Sequence, residues 1–105
     1  MLASVRTRED VVRRLQGLEG EIRALGVHRL ALFGSFARSD ARPESDVDLW
    51  VKFAPSRKRF DPFMSLFDLL EEHMGRRVDL VTTESLSPFI GPYILAEAED
   101  VVRAA

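Results

Sequence analysis

Two short apolar runs, Val27 to Phe33 and Val47 to Phe53, and the punctuation between them constrain this chain more than anything else in it. The first stops at once on Gly34-Ser35. It is too short for a stable helix and is closed by a turn signal, so it reads as a buried strand, with a short helix suiting the residues after it. The second run alternates. Successive side chains of a strand leave on opposite faces, which puts Val47, Leu49, Val51 and Phe53 on a core face and Asp46, Asp48, Trp50 and Lys52 on the other. Residues 39–45, with Pro43 among them, form the loop between the two strands.

Helical spacing surrounds this pair. Thr7 with Asp10 forms a capping box, and Val11, Leu15, Leu18, Ile22 and Leu25 then recur at intervals of four and three, predicting one helix stopped by Gly26. Gly17 and Gly20 weaken it, which calls for either close packing or an apolar stripe strong enough to hold the helix. Asp61 as cap and Pro62 at the first helical position open a second helix, with Phe63, Leu66, Phe67, Leu70 and Met74 on one side and Gly75 at its end. Residues 77–82 predict a third strand, with Val78 and Leu80 on one face and Asp79 with Val81 on the other. Short helical pieces around 89–96 and an edge strand over 100–103 complete the chain. The expected fold class is α/β (α+β), a small mixed β-sheet with helices packed on one face.

The chain has 105 residues, enough for one domain with a real core and too few for a catalytic domain beside a separate substrate domain, so 1–105 is read as a single domain. Hydrophobic residues make up 46% and charged residues 30%, ordinary values for a globular domain. A formal net charge of -2 provides no footprint for strong nonspecific nucleic-acid binding, so any partner is recognised locally. Without cysteine there is neither a disulfide framework nor a thiolate metal site, and no apolar segment reaches the roughly 20 residues of a membrane span. A cytoplasmic domain is expected.

Several groups have plain structural explanations. His28 lacks neighbouring ligand-type residues, and His73 sits where it complements a helix dipole. The arginines of the first helix suit a solvated face or a partner surface. The run Arg57-Lys58-Arg59, in a connection over 54–60, suits a solvated loop or a contact with phosphate or a partner.

The carboxylates are different. Asp46 and Asp48, two apart on a strand, project on one side and repel unless a cation lies between them. Magnesium is satisfied by one or two protein carboxylates with waters and phosphate oxygens, so this incomplete set suits a nucleoside triphosphate that brings the remaining ligands. Asp79 is the natural third carboxylate, able to serve the second of two ions and to help deprotonate an attacking hydroxyl. Gly34 lets backbone approach a phosphate, and Ser35 adds a hydroxyl and an amide. Arg38 either reaches those phosphates or pairs with acidic residues of the following loop.

The stretch over 32–51, Leu-Phe-Gly-Ser-Phe-Ala-Arg-Ser-Asp-Ala-Arg-Pro-Glu-Ser-Asp-Val-Asp-Leu-Trp-Val, resembles the signature of the DNA polymerase β-type nucleotidyltransferase superfamily. More closely, it is similar to the minimal nucleotidyltransferases, the small MNT-domain antitoxins encoded beside HEPN toxins. The likeness continues through Arg-Val-Asp-Leu-Val at 77–81 and Leu-Ser-Pro-Phe-Ile at 86–90, covering most of the chain apart from the first helix. The resemblance implies a polymerase β-like fold, Gly34 and Ser35 at nucleotide phosphates, Asp46 and Asp48 on metal, and Asp79 on metal and in catalysis. One departure is Ser39, where the family commonly has glycine.

The activity so implied is Mg-dependent transfer of AMP from ATP to a hydroxyl, with two ions and release of pyrophosphate. For the antitoxins the acceptor is a tyrosine of the partner HEPN ribonuclease, which is thereby silenced. Larger relatives carry a helical domain that grips the acceptor, so a chain of this size is expected to take its acceptor from another chain. Two other readings remain. One is a non-catalytic antitoxin that neutralises by masking, and the other is an enzyme acting on a small molecule or an RNA end.

Overall fold

A computed structural model describes residues 3–55 and 60–103; the Arg57-Lys58-Arg59 run lies outside the described residues. The elements in order are α1 (Arg8–Gly17), α2 (Glu19–Ala24), β1 (Val27–Phe33), α3 (Gly34–Ala37), β2 (Val47–Phe53), α4 (Phe60–Met74), β3 (Val78–Thr82), a 3-10 turn (Thr83–Ser85), α5 (Gly91–Glu97) and β4 (Glu99–Arg103).

The four strands form one mixed sheet in the order β3-β2-β1-β4. β1 runs antiparallel to both β2 and β4, and β3 lies parallel to β2 after the crossover through α4. Both β1 and β2 occupy the bounds their apolar runs predict. The β1–β2 register shifts between Val27 and Arg29, a bulge at which His28 is exposed.

The capping box forms as predicted: the Thr7 side chain accepts from the Asp10 amide, and the Asp10 carboxylate accepts from the Thr7 amide. The single helix expected up to Gly26 is divided instead. Leu18, at φ -101 and ψ 3, leaves the helical region and separates α1 from α2. Nothing lies within 4 Å of a Cβ placed on Gly17 or Gly20, so their cost to helix propensity is not offset by close packing. The apolar stripe carries across the break, with Val11, Leu15, Leu18 and Ile22 all buried. α4 begins at Phe60, which leaves Asp61 inside the first turn, where its charge still suits the helix dipole.

These stripes meet the sheet's core face. Leu66, Leu70 and Met74 of α4 pack with the α1 and α2 residues against Leu30, Leu32, Val47, Leu49, Val51, Val78 and Leu80. Truncating a side chain as completely buried as Leu70 costs about 2–5 kcal/mol.

The opposite face is not simply polar. Ala31, Phe33 and Trp50 are buried there beneath Val81, Leu86, Ile94 and Ala98, so α5 packs over a second, smaller apolar cluster. The longer helices keep to one face as expected, and short α5 is added to the other. Trp50, assigned by alternation to the face opposite the core, is 3% exposed; its Nε1–H donates to Thr83 Oγ1 at 3.2 Å, and the Arg29 guanidinium stacks 5.1 Å from its ring.

Candidate active site

Sheet register builds the candidate site. Phe33, the last residue of β1, is paired with Asp48 of β2, and Asp48 is paired with Asp79 of parallel β3. Paired residues project on the same side, so Asp48 and Asp79 are cross-strand neighbours, on the face that carries Trp50 and α5. Gly34 follows Phe33 directly and reaches the same spot. The turn after β1 and the openings of β2 and β3 therefore converge at one end of the sheet.

Gly34 has a φ of 75°, in the region that favours glycine, and a Cβ placed on it would lie 2.1 Å from Oδ2 of Asp48. The Asp48 carboxylate is thus packed against bare backbone. Burial first, then the charges of Asp79 and Asp46, push its carboxyl up from 3.8 to about 6; Glu97 adds to the effect and Arg38 opposes it. Asp46 and Asp79 are themselves exposed.

Among the described residues, no three acidic or histidine side chains are gathered closely enough to hold an ion by themselves. The arrangement is a half-buried carboxylate flanked by two exposed ones within range of its charge. That donor set fits magnesium, because one or two carboxylates suffice when waters and phosphate oxygens complete the shell.

Of the two roles open to Arg38, the described conformation shows the acidic pairing: Nε lies 3.3 Å from Asp40 and an Nη 2.8 Å from Glu97. Backbone bonds hold the turn, with the amides of Arg38 and Asp40 donating to the carbonyls of Gly34 and Ser35. Ser39, the departure from the family pattern, has a φ of 63°. The loop therefore keeps the left-handed conformation that glycine would favour.

Two residues at the site carry no local sequence signal. Arg76 donates to the carbonyls of Arg42, Pro43 and Ser45 and to that of Val5, and stacks 5.0 Å from the Phe36 ring. It clamps the loop that delivers Asp46. Glu97, at the end of α5, accepts from the Gly34 amide at 2.7 Å. Both are joined to partners distant in the chain.

The sequence profile of the polymerase beta nucleotidyltransferase family matches residues 22–104. The chain belongs to this nucleotidyltransferase family. It is 37% identical over 94 residues to the protein adenylyltransferase MntA of Thermococcus cleftensis, covering 87% of this chain and 92% of that one. A solved structure assigned as a minimal nucleotidyltransferase superposes with a TM-score of 0.80 at 33% identity, covering 92% of this chain and 98% of the other. The fold is shared more distantly, at 17% identity and a TM-score of 0.63, with a chain in the complex of a tri-AMPylated Shewanella oneidensis HEPN toxin with its MNT antitoxin, over 93% of this chain and 74% of that one. The nucleotidyltransferase fold is thus the one the 32–51 signature implies.

Proposed function

We propose that this nucleotidyltransferase is a protein adenylyltransferase that moves AMP from ATP to a tyrosine hydroxyl of a HEPN-type partner and so acts as its antitoxin, with 1–105 forming one minimal catalytic domain. The observation that carries the chemistry is the packing of Asp48 against Gly34 with Asp79 registered beside it. It unites a turn open to phosphate with carboxylates suited to cations. The choice of a protein acceptor rests on the MntA relative.

In this reading Gly34 and Ser35 hold the β and γ phosphates through backbone amides and the serine hydroxyl, with Arg38 available to the same oxygens. Asp46, Asp48 and Asp79, completed by waters and phosphate oxygens, would hold the ions. Magnesium, when bound, offsets phosphate charge and lowers the barrier to attack on the α-phosphorus. Asp79 is exposed and paired with Asp48, and in this reading it accepts the proton of the incoming hydroxyl. The tyrosine oxygen forms a bond to the α-phosphorus, the bond to the bridging oxygen breaks, and pyrophosphate leaves. Charge and alignment supply most of the rate gain.

A protein partner also suits the surface. Phe89, Ile90 and Tyr93, 82%, 58% and 78% exposed, cluster at the start of α5, the helix whose other end reaches Gly34. Apolar side chains gathered this way mark association surfaces.

Mixing the protein with ATP, magnesium and the HEPN-type partner should raise the partner's mass by whole AMP units, read by intact-protein mass spectrometry. A partner that binds yet gains no mass would contradict the transferase reading and leave masking as the mode of neutralisation.

A further inference from the structure

Glu97 lies outside the carboxylate set of the proposed reaction, yet it bonds directly to the turn. One oxygen, Oε1, accepts from both the Gly34 amide at 2.7 Å and an Arg38 Nη at 2.8 Å. A backbone amide beside a guanidinium is the donor pair a phosphate oxygen uses. The contact is set by the fold. β4 begins at Glu99, paired with Leu32 of β1, so the residue two before Glu99 comes beside the residue two after Leu32. Ile94 and Ala98, on either side of Glu97, anchor this segment in the second apolar cluster.

We infer that Glu97 is a resident occupant of the subsite for the outer phosphates: its carboxylate holds the Gly34 amide and Arg38 in the nucleotide-free protein and yields both to an incoming phosphate. The inference rests on the proposed reading of the turn. One anion replaces another, so the amide and the guanidinium keep a partner before and after binding. The exchange lowers apparent affinity, because only the fraction of molecules with Glu97 displaced is competent to bind. It acts only on ligands that reach the turn, which are triphosphates and pyrophosphate. AMP, whose single phosphate belongs beside the aspartates, is indifferent to it.

Titration calorimetry of the whole protein with magnesium and, separately, ATP, pyrophosphate and AMP tests this in the wild type, Glu97→Ala and Glu97→Gln. Glu97→Ala should tighten ATP and pyrophosphate about tenfold. Glu97→Gln, which keeps the size and an accepting oxygen but not the charge, should tighten them less. AMP should be unchanged in both, and thermal melts report that each variant is folded. Unchanged or weaker ATP binding in both folded variants would overturn the inference, as would an equal gain for AMP, which would mark a general charge effect. ATP binding by the wild type upholds the reading of the turn independently of these ratios; no nucleotide binding by any of the three proteins would overturn both.

Discussion

Oδ2 of Asp48 occupies the space that a Cβ on Gly34 would need, 2.1 Å from where that atom would sit. The turn and the acidic pair are therefore one packed unit. Gly34→Ala must both push the carboxylate away and hold an L-residue at a φ of 75°, which costs about 1–3 kcal/mol. Urea denaturation should show that loss, and transfer activity should fall further than stability does, since the displaced group is Asp48 itself.

Asp48 also sets a pH dependence. Its carboxyl in the fold is raised from 3.8 to about 6, so the charged form is the disfavoured one. Below the unfolded value both states are protonated and no penalty exists; the penalty grows as pH rises through the interval and is complete above about 6. Half-burial lets solvent screen it, leaving on the order of 1 kcal/mol. Asp48→Asn should therefore be more stable than wild type at pH 7 and lose that advantage towards pH 4, as thermal melts across this range would report. Magnesium should narrow the gap at pH 7 by stabilising the wild type more than the variant, which lacks one of the three carboxylates.

Ser39 is an L-residue at a φ of 63°, a conformation that costs about 1–2 kcal/mol without glycine's freedom. Part of that is offset by the larger entropy glycine loses on folding. Ser39→Gly should raise stability by about 0.5–1 kcal/mol in denaturant titrations, with transfer activity retained.

Arg76 joins the chain before α1 to the loop before β2. Arg76→Lys keeps the charge but loses the planar fork that reaches several carbonyls, and it should cost about 1–3 kcal/mol. Loosening this loop releases Asp46, so magnesium affinity in calorimetry should weaken as well.

Where the structure was legible in advance, the signal was local. The bounds of β1 and β2 follow from apolar runs and the turn between them, and the capping box follows from two residues. Asp48 and Asp79 could be matched as strand residues of like phase, although their register had to come from the sheet. Alternation read Trp50 as polar-facing because nothing nearby in the chain announces the cluster under α5. The split of the first helix hides for a related reason, since the apolar stripe continues unbroken past Leu18. Glu97 and Arg76 were invisible because their partners lie far away in sequence, and single glutamates and arginines are ordinarily surface residues.

The most direct measurement compares the mass of the HEPN-type partner after incubation with ATP, magnesium and either the wild type or Asp48→Asn, with complex formation followed in parallel. The account predicts AMP units on the partner with the wild type and none with the variant, while both proteins bind the partner. Equal modification by Asp48→Asn would contradict it.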